Sequence, residues 1–325
     1  MGTTRRSFIV ATASAGLVAA PAAVRAQAGF PDKPIKVMVP TVAGGAAEQC
    51  LRAVAEPMRQ ALGQPLVFEY LTGGTGNIAL QRAAQSPPDG YTLALPSAAN
   101  SSNLAARPRQ AFDIVGEMRP VGKIGVAAMM LTVSPALNVK TTEELIRYAK
   151  ANPGKLSYAS IGYGSSQHLV AEMFAAAAGI DMVHVPYRGE AAAALDMAGG
   201  RIHVAFLAGA KPLVETGKIQ ALATTNAENW PSMPTVPPLS QTGLPGFVYN
   251  GWNGLVAPKA TPDPIVARLS AALAGALKEP KVRSDLRMIG FEPGAGTPDE
   301  LGEQLRSDIA NFRKIIAERN LKFPD

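Results

Sequence analysis

Leu156-Ser157-Tyr158-Ala159-Ser160-Ile161-Gly162-Tyr163-Gly164-Ser165-Ser166-Gln167-His168 reads as a short strand, a glycine-rich loop carrying hydroxyls, and the start of a helix that runs through Leu169 to Ala178. Such a junction leaves the first N–H groups of the helix unpaired and adds the positive end of its dipole, so an anion can sit there. Gly162 and Gly164 allow backbone angles and close approaches that a Cβ forbids. Ser160, Ser165 and Ser166 add hydroxyl donors. Taken alone, the loop is a tight βα turn with capping serines; a second loop of the same design changes its weight.

That second loop is Ile35-Lys36-Val37-Met38-Val39-Pro40-Thr41-Val42-Ala43-Gly44-Gly45-Ala46-Ala47-Glu48: an apolar strand, a glycine turn, then a helix to about Leu62. The parallel extends downstream of both loops. After the first helix come a strand at 66–69, a glycine loop at 73–76, a helix from Asn77 and a strand at 91–95. After the later helix come a strand at 182–185, a loop holding Gly189, an alanine-rich helix and a strand at 202–206. Two β-loop-α-β-loop-α-β runs specify an α/β chain of two lobes, each a mostly parallel sheet flanked by helices. Ligands of such sheets bind at the carboxyl ends of the strands. Two facing anion loops therefore predict a cleft that closes on a small acid.

The N-terminus stands outside this pattern. Thr4-Arg5-Arg6-Ser7-Phe8-Ile9 is a twin-arginine motif, followed by a small-residue apolar stretch and cleavage candidates around Ala26 and Ala28. Residues 1–28 are read as an export signal that is removed, which places the mature protein in the periplasm. Removal takes out Arg5, Arg6 and Arg25, leaving 28 basic and 25 acidic residues, so the formal charge falls from +6 to +3. No basic run with interleaved aromatics remains, which argues against nucleic acid. One cysteine forms no internal disulfide, and Cys50 reads as a small buried residue. Three scattered histidines and that cysteine offer no metal-ligand spacing, and neither metal nor cofactor is expected.

Between the lobes, 98–113 reads as polar and irregular, a rim for the cleft, and 121–133 as a strand-rich passage into the second lobe. Thr141 with Glu144 forms a capping box for a helix ending near Asn152. A short helix at 211–216 and a strand at 219–224 follow. The proline-punctuated run 230–245 reads as a surface connection, and 249–256 as a return crossover. Helices are expected at 264–277, 282–288 and 298–319, the last capped by Thr297, all packing back on the first lobe.

Other chemistries find less support. Gly74-Thr75-Gly76-Asn77-Ile78-Ala79 matches a dinucleotide fingerprint, but no well-placed acidic residue follows at the later strands. No Gly-Lys pair is followed by Ser or Thr, so there is no Walker loop. Ser165 or Ser166 with His168 lie too close on one helix start for a base relay, and no G-x-S-x-G elbow exists. His168 reads as a residue that fixes the loop, and His184 and His203 as structural histidines in strands. Arg188 either meets an anion at its helix start or is a solvated surface arginine.

With the paired loops in view, the chain resembles the Bug-type extracytoplasmic receptors of tripartite tricarboxylate transporters over residues 30–320. The resemblance rests on Pro31-Asp32-Lys33-Pro34-Ile35, Val39-Pro40 with Ala43-Gly44-Gly45, Leu62-Gly63-Gln64-Pro65 and Pro88-Asp89-Gly90-Tyr91-Thr92-Leu93. It continues through Tyr148–Leu156, Gly162-x-Gly164-Ser165 with His168-Leu169, His184-Val185-Pro186-Tyr187-Arg188-Gly189, and Trp252 with Gly254-Leu255. The resemblance implies a periplasmic-binding-protein (Venus-flytrap) fold, with lobe 1 at 29–127 and 253–325 and lobe 2 at 128–252. It implies a monomeric receptor that captures a carboxylate for membrane transporter subunits and is not an enzyme. The alternative is a secreted enzyme using the same cleft. Carried over by position, ligand contacts fall on Thr41, Val42, Ala43, Gly44 and Gly45, and on Ser160, Gly162, Tyr163, Gly164, Ser165, Ser166 and Gln167. Pro186, Tyr187, Arg188 and Gly189 complete the set, with Leu207.

Three departures matter: Tyr70-Leu71-Thr72-Gly73 stands where relatives carry an Asn-Arg-Pro-Gly-like turn, Glu48 replaces an aspartate, and Leu207 replaces another. An ammonium group beside Leu207 would find no anion. The expected ligand is thus an organic acid without an amino group, its body walled by Tyr163 and Tyr70.

Overall fold

The structure is a computed structural model that describes residues 29–41, 43–73, 76–109 and 112–323. The export segment lies outside these residues, as do Val42 and the first two positions of the Gly74–Ala79 motif. Pro31–Asp325 form one unit.

Its first sheet begins with β1 (Ile35–Val39), whose side chains are buried on both faces apart from Lys36. The helix α1 (Ala46–Leu62) turns Cys50, Leu51, Val54, Met58 and Leu62 inward, the i, i+4 spacing of an amphipathic helix. Gly63 ends it at φ +77°, its N–H returning to Arg59 O. Next come β2 (Leu66–Tyr70), α2 (Asn77–Ala84) and β3 (Thr92–Ala94), with β2 and β3 both parallel to β1. The chain then forms α3 (Ala98–Ala106), a turn of helix α4 (Ile114–Glu117) and the long β4 (Met118–Ala128).

After Met129 the chain enters the second sheet through β5 (Met130–Val133), then α5 (Thr142–Ala151), β6 (Ser157–Ser160), α6 (Ser166–Ala178), β7 (Val183–Pro186) and α7 (Glu190–Ala198). It continues with β8 (Val204–Leu207), α8 (Lys211–Glu215) and β9 (Gln220–Thr224). β6 is parallel to β7 and β8. The return is β10 (Asn250–Pro258), followed by α9 (Asp263–Ala276), α10 (Pro280–Met288), β11 (Glu292–Pro293) and α11 (Pro298–Glu318). Thr297 caps α11 by accepting from Glu300 N, as Thr141 caps α5 by accepting from Glu144 N.

The strand orders are β2-β1-β3-β10-β4-β11 and β7-β6-β8-β5-β9. Both sheets are mixed rather than mostly parallel. β10 is antiparallel to β3 and β4, and β5 is antiparallel to β8 and β9. The reason is connectivity: β5, entered directly from β4, runs against β6–β8 in the second sheet, and β10, which carries the chain back, runs against β3 and β4 in the first. Trp252 on β10 is buried under α11, its indole N–H donating to Asp308 Oδ2 at 2.7 Å.

Two other expectations are corrected. Residues 98–106 are a helix, buried at Asn100, Ser101, Ser102, Asn103, Leu104 and Ala105. Ser97 and Asn100 close a reciprocal capping box at its start, and Ser102 donates to Ala99 O at 3.0 Å. Asn100 and Ser102 thus answer the backbone locally, which lets this polar helix pack against α11 and α6. The run 230–245 is packed rather than superficial: Trp230, Met233, Val236, Leu239 and Leu244 are buried. Prolines stop regular structure there, while the apolar residues between them still face the core.

Candidate functional site

The β6–α6 loop is organised from within. Ser165 is the N-cap of α6, accepting from His168 N at 3.3 Å and donating to Gly162 O at 2.7 Å. Gly162 N donates to Ser160 Oγ, and Gly164 N donates to His168 Nδ1, each at 3.0 Å. The N–H groups of Gly162 and Gly164 are therefore used inside the loop, and so is the Ser165 hydroxyl. Those of Ser166 and Gln167, at the first two positions of α6, have no intrahelical acceptor.

Behind the loop lies a cluster of rings. The His168 and His184 imidazoles stack at 4.0 Å between centroids and 7° between planes, and the Tyr158 ring lies 5.0 Å from His184 and 6.1 Å from His168. The Tyr163 ring stands edge-on to His184 at 4.8 Å, and Phe323 edge-on to His168 at 5.7 Å. Burial, then the Arg107 charge, pushes His168 down to about 4. Burial and then His168 push His184 down to about 4 against the pull of Glu172. Both rings are neutral at pH 7, as the Gly164 N–H to His168 Nδ1 bond requires. Burial and the Glu172 carboxylate, which accepts from the Tyr158 hydroxyl at 2.6 Å, push Tyr158 up.

One contact resembles a nucleophile pair: Ser160 Oγ lies 2.6 Å from His184 Nε2. Ser160 has a single proton, and Gly162 O, at 3.0 Å, competes for it. His184 Nδ1 has no partner among the described residues, so nothing orients the imidazole as a carboxylate does in a hydrolytic triad. The pair fixes the loop.

The loop faces α3, the helix missing from the sequence reading. Ser166 Oγ donates to Ser102 Oγ at 3.2 Å, and Arg107 Nη1 donates to Tyr163 O at 3.2 Å. The other end of α3 meets the first loop's strand: a Cβ on Gly76 would lie 3.1 Å from Pro40 Cβ and 3.3 Å from Asn100 Nδ2. Helix α3 thus runs between the two glycine loops. The signal for it was Ser97-x-x-Asn100, a capping pair without the usual Glu or Gln.

In the first loop, Ala43 and Gly44 are exposed, and Thr41 and Gly45 are half-buried. Gly44, at φ +85°, donates its N–H to Glu48 Oε2 at 3.0 Å. Glu48 also meets Arg52 Nη2 at 2.5 Å and accepts from the Tyr70 hydroxyl at 3.2 Å. Burial alone would raise this carboxyl, but the Gly44 amide, Arg52 and Tyr70 together hold it below its ordinary value. The Thr41 hydroxyl is buried without a partner among the described residues.

The third segment brings a correction. Pro186 and Arg188 are exposed; Tyr187 and Gly189 are half-buried, the Tyr187 hydroxyl donating to Asp196 at 2.7 Å. Leu207 is buried among Ala193, Ala194, Met197 and Ala205, so its side chain belongs to the core. The premise that no anion lies beside it fails. Glu190, the first residue of α7, accepts from Gly209 N at 3.0 Å, from Ala208 N at 3.5 Å and from Gln167 Nε2 at 2.8 Å. An acid in the first helical turn is the ordinary complement of the helix dipole, which is why the sequence did not single it out.

Known proteins match the chain over most of its length. A UPF0065 protein from the gbd 5′ region of Cupriavidus necator is 34% identical over 318 residues, covering 98% of this chain and 96% of its own. The R. palustris protein Rpa4515, solved with adipate, is 31% identical, with a TM-score of 0.78 over 91% of this chain and all of its own. MatC from Rhodopseudomonas palustris, solved with bound malate, is 28% identical, with a TM-score of 0.73 over 88% of this chain and all of its own. A family model described as the tripartite tricarboxylate transporter family receptor matches residues 50–321, and the chain belongs to that family.

Proposed function

We propose that this chain is a periplasmic receptor that captures a small organic acid between its two sheets and presents it to membrane transporter subunits. The observation that carries this reading is the meeting of Ser166 at the start of α6 with Ser102 of α3, which sets the donor-rich end of β6 against the first sheet's helices. Support comes from the two N–H groups at the start of α6 that have no intrahelical acceptor, the Thr41 hydroxyl that has no partner among the described residues, and the carboxylic acids held by the two R. palustris relatives.

The proposed contacts keep the three segments, with roles adjusted. Thr41, Ser166 and Gln167 donate to the ligand. Gly44, Gly45, Ser160, Gly162, Gly164 and Ser165 shape the loops, and Tyr163 and Tyr187 wall the cleft. Ala43, Pro186, Arg188 and Gly189 flank it. The lobes are proposed as 29–127 with 253–325, and 128–252, the first 28 residues being removed on export. The receptor acts as a monomer and turns over no substrate.

A thermal-shift screen of the mature protein against a carboxylate library, followed by calorimetry and product analysis, tests the reading. A raised melting temperature with unchanged ligand is expected. Conversion of the bound acid to product, or no binding across the library, overturns it.

A further inference from the structure

Glu190 stands at a corner built by three neighbouring strand ends. Gln167 follows β6, Glu190 follows β7, and Ala208 and Gly209 follow β8, in a sheet whose order is β7-β6-β8. Carboxyl ends of adjacent parallel strands are where an α/β sheet receives its ligand. The carboxylate is pinned there: Oε1 accepts from Gln167 Nε2 at 2.8 Å and from Ala208 N at 3.5 Å, and Oε2 accepts from Gly209 N at 3.0 Å. A Cβ on Gly209 would lie 3.3 Å from Oε2, so the turn closes tightly on the acid.

Each of these donors is neutral. Among the described residues no lysine or arginine pairs with Glu190, in contrast to Glu48, which has Arg52. The charge is stabilised by amide dipoles and the α7 N-terminus but is not cancelled. Glu190 is half-buried, while Ala208 and Gly209 are exposed, so the corner is open to a ligand. A carboxylate offers about four lone-pair sites, of which three are used here. One acceptor site on Oε2 remains for a donor from outside the protein.

We propose that Glu190 is a specificity-determining residue of the receptor site: it selects an organic acid that carries a hydroxyl or ammonium donor and disfavours a second carboxylate at that corner. The inference rests on the receptor reading above. The ligand's carboxylate is taken by the neutral donors at the start of α6 and by Thr41, and its donor group by Glu190. A hydrogen bond to a carboxylate is stronger than a neutral one and is lost when the acceptor becomes an amide, whereas a second carboxylate beside Glu190 meets like charge.

The test is calorimetry on the mature protein with two matched triads: succinate, malate and aspartate; and adipate, 2-hydroxyadipate and 2-aminoadipate. In the wild type, a donor-bearing member should bind about 10-fold or more tightly than its unsubstituted diacid. Glu190→Gln should erase that ratio, mainly by weakening the donor-bearing acid, and Glu190→Ala provides the same comparison if the amide disturbs the turn. Thermal unfolding checks that both variants are folded. Equal binding of the diacid in the wild type, or an unchanged ratio in both variants, overturns the role of Glu190 and leaves the receptor reading standing. Absence of binding by every member of the triads and of the wider library overturns both.

Discussion

Gly164 is the position where the second-lobe loop is most tightly fitted to the first sheet's helices, and an alanine there tests that fit. Its φ is +73°, and a Cβ would lie 2.9 Å from Ala106 Cβ and 3.1 Å from Arg107 Nη1. The left-handed conformation costs an L-residue about 1–2 kcal/mol. Arg107 is the end of a flexible side chain and gives way, but Ala106 Cβ is fixed to α3. Overpacking of that kind adds about 1–3 kcal/mol, so Gly164→Ala should destabilise by about 2–5 kcal/mol. Backbone strain and the clash separate in a double-mutant cycle with Ala106→Gly, which removes the atom being struck. Urea unfolding of the four proteins should give a coupling of about 1–2 kcal/mol, the double mutant being more stable than the two single effects predict. Gly162, at φ +124° with nothing within 4 Å of a Cβ, is the control: Gly162→Ala should be additive with Ala106→Gly. Additivity within about 0.5 kcal/mol at Gly164 as well would refute the fit of loop to helix.

His168 predicts an acid-sensitive fold. Because the buried ring titrates at about 4 against an ordinary 6.5, the unfolded chain takes up the proton first. Stability is therefore full above pH ~6.5 and falls by up to about 3 kcal/mol towards pH 4. Asp308, raised by burial to about 6, contributes in the opposite sense between its ordinary 3.8 and 6, so the comparison to make is wild type against His168→Gln in denaturant at pH 7 and 4.5. An unchanged pH slope in the variant would refute the assignment. Arg319, which meets Glu172 Oε2 and Asp181 Oδ1 at 3.0 Å each, ties the end of α11 to the second sheet's layer. Arg319→Met leaves the buried Glu172 carboxylate without its cation and should cost about 2 kcal/mol in urea unfolding, discounted for the partial exposure of Arg319. Periplasmic material should begin near Gln27 or Gly29 by N-terminal sequencing, and replacing both Arg5 and Arg6 with lysine should leave full-length protein in the cytoplasm.

The parts of the fold legible in the sequence are those whose signal is local. β1 with α1, and β6 with α6, announce themselves through an apolar run, a glycine turn and a helical apolar stripe, and α5 and α11 through threonine caps. α3 was missed because its residues are small and polar with no apolar period, and their burial depends on α11 and α6, which come much later in the chain. The strand mixture was missed because the direction of β10 is set by its partners β3 and β4, not by its own residues. At the site the failure is sharper. Leu207 was read as lining the cleft, yet β8 is buried on both faces, and its last side chain enters the core beneath α7. What faces the corner after β8 is backbone, the N–H groups of Ala208 and Gly209, and an amide takes its character from whatever carboxylate reaches it. That carboxylate belongs to Glu190, 19 residues before Gly209 in the chain. The charge of this corner is carried by the neighbouring helix, so a leucine at 207 does not make the corner neutral.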